Sequence, residues 1–432
     1  MSQVLQGVRV IDLTNVLSGP FCTYQLALLG ARVIKIEAPE GGDLARQFGT
    51  DPELSRQMMG TGFLAQNAGK QSISIDLKSE RGRSLFLELA ATADVLVENF
   101  RPGVMDRLGL GYGAVAAVKP DIVYCSISGF GQDGPLRDRP AYDQIIQGLS
   151  GLMSVTGDEG SAPLRVGVPL CDTVGGLTAA FAVVAALYRR AVSGAGEHID
   201  VSLLESTLSI MGWATTGYLI TGQPPLPRGN ENVTASPSGT FRTRDAPLNI
   251  SANTQAQFES LCAAAGEPHL ARDPRFATRS ARLSHRRELK AALEEALERQ
   301  PAAYWEERLA AADVPCGRIL SVPEALAHPQ VQGREVTSTV AVPHVDRSIR
   351  VLRSGFKLGG RAPRPATPPP ALGQDTDEVL RELGYTDGDV QALRDARVLP
   401  PAQPTRGAGG PRPVPRRDGP RPDRTHAAGG ER

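Results

Sequence analysis

Asp172 is the residue whose type and position in the sequence best suit covalent chemistry. It lies in the segment PLRVGVPLCDTVGG, just before a long apolar stretch that predicts a helix. Aspartate at such a place is a common helix N-cap, and a cap needs no catalytic role. The same helix terminus also favours an ionised carboxylate in a fixed position, which is a candidate nucleophile. The residues alone leave both interpretations open.

A glycine-rich loop is the second feature that could contribute to a site. The segment ISGFGQDGPLRDRPAYDQIIQG follows a predicted strand and leads to Tyr142 and Asp143, where a helix is predicted to begin. Glycines in such a segment commonly supply turns. Their backbone N–H groups can also donate hydrogen bonds to an oxyanion, so this loop is a candidate part of an active site.

Several other chemistries lack their usual sequence signals. The six histidines are not in HExxH or other paired spacing, so no metal site is predicted. The chain has no GxSxG or Walker motif. The loop after the first predicted strand reads NVLSGP and lacks the GxGxxG of dinucleotide-binding proteins, which disfavours NAD and FAD. Carboxylate chemistry is what remains.

Composition limits the class of protein and its partners. The 432 residues include 47 basic and 47 acidic side chains, and this neutral balance gives no general electrostatic basis for binding nucleic acid. Five scattered cysteines and an N-terminus without an export signal predict a cytoplasmic protein. The longest apolar run, 177–188, is shorter than the roughly 20 residues that span a bilayer. It predicts a buried helix and no membrane partner.

The first 200 residues alternate short β-branched runs with helical patterns, which is typical of an α/β fold with a parallel sheet. Strands are predicted at 8–13, 32–37, 72–75, 94–98 and 122–127. A linker rich in proline and glycine, 222–232, separates this part from a second unit. That unit has a predicted strand at 248–252 and helices at 256–265, 286–298 and 302–312. Two strands, 334–342 and 348–351, and two helices, 376–383 and 387–397, are predicted to follow.

The C-terminal segment 402–432 has a different composition. It contains seven arginines, six prolines and six glycines, with Val414 as its single large aliphatic residue. Such a segment cannot bury enough apolar surface to offset its conformational entropy, so it is predicted to be a disordered tail.

Together these motifs resemble those of family III CoA-transferases, which include formyl-CoA and carnitine CoA-transferases. The resemblance extends from Leu5 to about Leu399 and involves ten segments in order: GVRVIDLTNVLSGP, LLGARVIKIEAPEGGDLAR, NAGKQSISIDLKSERG, DVLVENFRPGVMDRLGLG, YCSISGFGQDGP, AYDQIIQG, VGVPLCDTVGG, GAGEHIDVSLLES, VPCGRILSVPEALAHPQV and PPPALGQDTDEVLRELGY. Ten segments in order are far more specific than any single motif.

The resemblance implies a reaction and a nucleophile. Asp172 matches the family's catalytic aspartate, which forms an acyl anhydride and then a thioester with CoA. The implied function is transfer of CoA from a small acyl-CoA, such as succinyl-CoA, to a free carboxylic acid. CoA would be a substrate, and no permanently bound cofactor is expected. The alternatives are an acyl-CoA racemase, which has a histidine where this chain has Tyr142, and a silent CoA-binding protein.

The resemblance also implies binding residues. Tyr142 would line the acyl pocket, and Arg46 or Arg165 would hold a free carboxylate, although a structural ion pair is an equal alternative for either arginine. The positions that match CoA contacts of the family are Val16, Ala38, Lys70, Leu77, Lys78, Asn99, Phe100, Arg101 and Arg107.

The domain organisation is likewise implied by the resemblance. A large Rossmann-like domain would comprise residues 1–222 and 330–401, and a smaller α+β domain, 228–325, would be inserted in it. Family members form interlocked-ring homodimers, so a homodimer is expected here. The loop GNENVTASPSGTF lacks the run of glycines that formyl-CoA transferases have in the matching region, and formate or oxalate specificity is therefore not implied.

Overall fold

A parallel six-stranded sheet organises the first 202 residues of the computed structural model, which describes residues 3–342, 345 and 347–401. Its strands are β1 (Arg9–Leu13), β2 (Arg32–Glu37), β3 (Lys70–Ser74), β4 (Val95–Glu98), β5 (Val123–Ser128) and β6 (Glu197–Ser202). The strand order is 3-2-1-4-5-6, and every neighbouring pair is parallel. The predicted α/β class is confirmed, and so are the first five strands to within two residues.

Helices cover both faces of the sheet. In this part of the chain they are α1 (Ser18–Leu28), α2 (Pro52–Arg56), α3 (Thr61–Leu64), α4 (Glu80–Ala90), α5 (Val104–Arg107), α6 (Tyr112–Val118), α7 (Asp143–Leu149), α8 (Leu170–Ser193), α9 (Leu203–Ile210) and α10 (Gly212–Thr221). Ile11 and Ile34 share a core with Leu85 of α4, whereas Val10 packs with Leu26 of α1 on the other face. This burial of both faces explains why the strands read as continuous apolar runs.

The strand order creates a switch point between β1 and β4. From β1 the chain proceeds to β2 and β3 on one side, and β4 leads to β5 and β6 on the other. The loops that follow β1 and β4 therefore diverge and leave a crevice at the carboxyl ends of the strands. Ligands of open α/β sheets bind at this place.

Residues 238–318 have a hydrophobic core of their own. The strands β7 (Ser238–Phe241), β8 (Leu248–Ser251) and β9 (Cys316–Arg318) form an antiparallel sheet in the order 7-8-9. Four helices pack with it: α11 (Gln255–Ala265), α12 (Arg279–Ser284), α13 (Arg286–Leu297) and α14 (Ala302–Ala311). Phe258 and Trp305 belong to this core, which includes no residue of the parallel sheet.

The last part of the described chain brings two helices back to the parallel sheet. Its elements are α15 (Val322–Ala327), α16 (Pro329–Gly333), the hairpin β10 (Thr337–Val342) and β11 (Arg347–Leu352), and the two returning helices α17 (Thr376–Glu382) and α18 (Asp387–Asp395). Leu380 of α17 and Leu393 of α18 join the core that contains Ile11 and Leu85. The proposed domain limits stay a prediction, and the tail 402–432 lies outside the described residues.

Helix α8 differs from its prediction as a buried helix. Ala179 and Val183 pack in the core, but Phe181 and Tyr188 are each 75% exposed. By length and composition the helix could cross a membrane, yet 44% of its most apolar 18-residue window is buried inside the protein. The helix covers one face of the sheet with its buried side, and its opposite side, which faces outward, is also apolar.

Candidate active site

A cavity of about 260 Å³ lies at the switch point of the sheet. Its wall contains residues 15–18 after β1, 99–102 after β4, 127–129 at the end of β5, the residues Arg137, Arg139, Pro140, Ala141 and Tyr142 before α7, Asp172 in α8 and Leu203 in α9. Segments far apart in the sequence thus meet at one place, as expected where the loops after parallel strands converge.

Two glycines allow Asp172 to approach this cavity. A Cβ atom on Gly176 would lie 2.3 Å from the carbonyl oxygen of Ser18, and one on Gly175 would lie 2.2 Å from Leu203. Both positions therefore need glycine if the first turns of α8 are to pack against the loop after β1 and against α9. This close packing explains why two glycines follow Asp172 in the segment CDTVGG.

Asp172 is not the N-cap of α8. The cap position is Pro169, and Asp172 is the third residue of the helix. Asp143 of α7 instead accepts hydrogen bonds from the backbone N–H groups of Cys171 (2.8 Å) and Asp172 (3.3 Å) through Oδ1. The capping interpretation of Asp172 is wrong, and its carboxylate is left to face the cavity.

The ionisation of Asp172 also differs from the expectation. A helix N-terminus favours the charged form, but burial and the charge of Asp143 raise the pKa of Asp172 to about 7. Because Asp143 takes the N–H groups at the helix start, the charge that the helix would stabilise is that of Asp143. Asp172 is a weakly solvated carboxylate that ionises near neutral pH.

Asn99 holds the loop after β1 in place. Its side-chain oxygen accepts from the backbone N–H of Asn15 (2.8 Å), and its amide nitrogen donates to the backbone oxygen of the same residue (2.9 Å). The next residue, Val16, has a left-handed backbone with φ of 68°. The two loops of the switch point are thus joined directly within the cavity wall.

Arginines form the charged part of the wall. Arg101, Arg137 and Arg139 all line the cavity, and all three are exposed. Arg101 is among the residues predicted from the sequence, whereas Arg137 and Arg139 are not. The available signal was the charged segment LRDRP directly before Tyr142, which also has the composition of an ordinary solvated loop.

The structure brings together six of the selected residues. Val16, Asn99, Phe100, Arg101, Tyr142 and Asp172 line one cavity, and Tyr142 is 66% exposed there. The wall does not include Arg46, Arg165, Ala38, Lys70, Leu77, Lys78 or Arg107. Of these, Leu77 packs at the edge of a core, whereas Ala38, Lys78 and Arg107 are exposed.

Arg46 has the geometry of a structural ion pair. Its side chain is fully buried, and Nε and Nη2 each lie 2.7 Å from a carboxylate oxygen of Glu37. The guanidinium carbon lies 3.7 Å from the centre of the Phe63 ring. Of the two alternatives for Arg46, this placement favours the ion pair over recognition of a free carboxylate.

Lys70 is also engaged inside the protein. Its Nζ donates to Asp12 (3.0 Å), Thr23 (2.8 Å), Asn67 (2.9 Å) and the carbonyl oxygen of Pro20 (3.0 Å). With 2% of the residue exposed, this ammonium group is not available to a phosphate of CoA in this structure. Arg165, in contrast, is partly exposed, and its Nη2 lies 3.8 Å from Asp143 Oδ2.

The described residues contain no cluster of three or more His, Cys, Asp or Glu side chains that could hold a metal ion.

The sequence and fold match those of known proteins. Residues 5–376 match CoA-transferase family III. The chain is 45% identical to the acetyl-CoA:oxalate CoA-transferase of Acetobacter aceti over 331 residues, 76% of this chain and 84% of that protein. It is 37% identical to the succinyl-CoA:glutarate CoA-transferase of Mus musculus over 401 residues, 91% and 90% of the two chains. A solved CAIB/BAIF family protein from Brucella suis has a TM-score of 0.79 and 34% identity, covering 89% of this chain and 100% of that one. The resemblance is confirmed, and the chain belongs to CoA-transferase family III.

Proposed function

We propose that this enzyme transfers CoA from a small acyl-CoA to a free dicarboxylic acid, with Asp172 as the nucleophile. The observation that carries the proposal is that the carboxylate of Asp172 lines a cavity at the sheet switch point. Asp143, and not Asp172, accepts hydrogen bonds from the N–H groups at the start of α8. A weakly solvated carboxylate attacks a carbonyl carbon more readily than one that is fully hydrated. The relatives named above carry out this class of transfer.

The first half-reaction releases the donor acid. An oxygen of ionised Asp172 bonds to the thioester carbonyl carbon, and the C–S bond breaks to give an acyl-aspartyl anhydride and CoA thiolate. The thiolate then bonds to the aspartyl carbonyl carbon, and the donor acid leaves as its carboxylate. An aspartyl-CoA thioester remains on the protein.

The second half-reaction repeats these steps with the acceptor. The acceptor carboxylate bonds to the aspartyl carbonyl carbon and expels CoA thiolate, which then attacks the acceptor acyl carbon of the new anhydride. Asp172 leaves as a carboxylate, and the new acyl-CoA is formed. No net proton is consumed, so the reaction needs no dedicated acid or base, but water must be excluded from both acyl intermediates.

The arginines of the cavity wall support a dicarboxylic substrate. We assign the free carboxylate to Arg137 or Arg139, because both line the cavity with Asp172 and a guanidinium can bind both oxygens of a carboxylate. Arg101 lies beside Asn99 and Phe100, where the resemblance places CoA. Succinyl-CoA is the proposed donor, and Tyr142 the proposed wall of the acyl pocket.

Exposed apolar side chains support the proposed homodimer. Trp213 of α10 is 93% exposed, Leu219 of the same helix is 79% exposed, and Phe181 and Tyr188 of α8 present a further apolar surface. Exposed apolar side chains of this size mark an association surface where they form one patch. We propose that a second copy covers it and closes the site beside Tyr142. Light scattering at micromolar and nanomolar concentrations tests this, and a monomer at both would contradict it.

Trapping the intermediate tests the mechanism. The protein is incubated with succinyl-CoA, treated with borohydride or hydroxylamine, and analysed by peptide mass spectrometry. We expect modification at Asp172, and Asp172→Asn should lose both trapping and transfer. Asp133→Asn, which changes an exposed carboxylate of the loop before Tyr142, is the matched control and should keep both. Modification elsewhere, or transfer by Asp172→Asn, would overturn the proposal.

A second assay distinguishes a racemase. Exchange of the α-proton of an acyl-CoA with deuterated water, without an acceptor acid, would indicate a racemase instead. This chain has Tyr142 where racemases have a histidine, and a phenol is a poorer proton-transfer group at neutral pH than an imidazole. We therefore expect transfer to glutarate without such exchange.

A further inference from the structure

Val16 is the strained point of the cavity wall. Its φ of 68° lies in the left-handed region, which is unfavourable for a β-branched residue. Such a conformation persists only where surrounding contacts determine it, and it is concentrated at functional sites. Val16 lines the same cavity as Asp172, so its conformation shapes the wall of the proposed active site.

Two buried side chains behind the wall determine this conformation. Asp43 Oδ1 accepts a hydrogen bond from the backbone N–H of Val16 (3.0 Å), and Gln66 Nε2 donates to the backbone oxygen of Val16 (3.2 Å). Asp43 is fully buried, Gln66 is 5% exposed, and neither lines the cavity. Both polar groups of Val16 are therefore held from the protein interior.

Asp43 is itself fixed by a buried cation. Lys35 Nζ lies 2.9 Å from Asp43 Oδ2 and donates to the backbone oxygen of Thr14 (2.5 Å). Lys35 thus holds the backbone of Thr14, and its partner Asp43 holds the backbone of Val16. These two residues flank Asn15, whose backbone is held by Asn99. A charged pair at this position fixes the loop more firmly than a neutral hydrogen bond would.

We propose that Asp43 and Gln66 are positioning residues that hold Val16 in its left-handed conformation and so set the cavity wall for catalysis. The inference rests on the proposed function. It predicts that either side chain affects turnover and CoA binding although neither contacts the cavity.

Gln66→Leu separates positioning from stability. Gln66 Oε1 is buried and has no hydrogen-bond partner among the described residues, so removing this unsatisfied oxygen should offset much of the cost of losing the Nε2 hydrogen bond and leave the melting temperature little changed. Loss of the Nε2 donor should nevertheless lower kcat about tenfold for transfer from succinyl-CoA to glutarate. Unchanged kcat and unchanged CoA affinity would overturn the role of Gln66.

A rescue experiment tests Asp43. Asp43→Ala removes the oxygen that accepts from the backbone N–H of Val16 and should lower kcat at least tenfold. Adding Val16→Gly to the Asp43 variant should raise its kcat several-fold again, because glycine adopts positive φ without steric cost. Val16→Ala in the same background keeps a Cβ atom and should not restore it. Leu380→Ala, which truncates a core side chain of α17, controls for lost stability and should keep kcat. Equal recovery by glycine and alanine, or recovery by neither, would overturn the proposal.

Calorimetry with CoA separates this inference from the proposed function. If the unsubstituted protein transfers no CoA, the proposed function fails, whereas CoA affinities of the same variants still test the positioning of Val16. We expect the affinity for CoA to fall in Asp43→Ala and to recover with glycine at position 16, and an affinity that follows neither change would contradict the inference.

Discussion

Two groups of acidic side chains, one behind the cavity wall and one in it, have opposite electrostatic surroundings. Behind the wall, Asp12 and Asp43 are buried with Lys35 and Lys70. Burial alone would raise the pKa of Asp12, but the two lysines and hydrogen bonds from threonines hold it well below its usual range. Burial would also raise the pKa of Asp43, but the charge of Lys35 and hydrogen bonds from backbone N–H groups lower it below its usual value.

In the wall, Asp172 has a like charge as its neighbour. Burial and Asp143 raise the pKa of Asp172 to about 7, and among the described residues no lysine or arginine forms an ion pair with it. Burial by itself therefore does not decide the role of an aspartate. A paired carboxylate stabilises the fold, whereas one beside a like charge is kept reactive at a cost in stability.

The largest effect on stability is expected from Asp12→Asn. The substitution leaves Lys70 buried without its charged partner, and breaking such a pair costs about 3–5 kcal/mol of unfolding free energy. The loss should be larger at pH 5 than at pH 8, because burial already lowers the pKa of Lys70 to about 8 and removal of Asp12 lowers it further, so that the unpaired ammonium group costs most where it stays charged. Chemical denaturation across this range measures it.

A surface pair provides the control for Asp12. Glu53 and Arg56 form an ion pair one turn apart on α2 with both side chains exposed. Glu53→Gln should change the unfolding free energy by less than about 1 kcal/mol. Equal effects of the two substitutions would mean that the buried network contributes no more than a surface contact.

The sequence was informative wherever the signal is local. Strands β1 to β5 follow from β-branched runs. The local motif around Asp172 left an N-cap role open, and only the family resemblance singled this residue out as a nucleophile. β6 was missed because EHIDVS alternates polar and apolar residues at the open edge of the sheet, with part of the strand exposed. Local patterns do not show which strand will be an edge.

Long-range pairing is what the sequence could not show. Lys70 matched a CoA contact of the family, but its charged partner is Asp12, 58 residues earlier. Arg46 is paired with Glu37 and also reaches the carbonyl oxygen of Pro370, 324 residues later. Whether a lysine or arginine meets solvent, substrate or a buried acid depends on the tertiary fold, and spacing along the chain does not contain that information.

A smaller effect, of opposite sign, is expected from Asp172→Asn. The folded pKa of Asp172 is raised above the ordinary value of 3.8, so the native protein loses stability as pH rises from about 4 to 7. The neutral variant should therefore match the native protein near pH 4 and exceed it by about 1–3 kcal/mol at pH 8. Denaturation at both pH values measures this, and a pH-independent difference would contradict the raised pKa.

The smallest effect is expected from Asp143→Asn. The amide oxygen can still accept from the N–H groups of Cys171 and Asp172, so the start of α8 stays capped while the neighbouring charge is removed. The pKa of Asp172 should then fall, because one of its two causes is gone. Ionised Asp172 is the proposed nucleophile, so the acidic limb of the kcat/KM profile should move to lower pH by about one unit or less.

Asp133→Asn serves as the matched control for this shift, since it removes an exposed charge from the loop before Tyr142 and keeps Asp143. Its profile should coincide with that of the unsubstituted enzyme. If Asp143→Asn also left the acidic limb in place, burial alone would account for the raised pKa of Asp172. The contrast between a paired and a like-charged carboxylate would then reduce to a difference in desolvation.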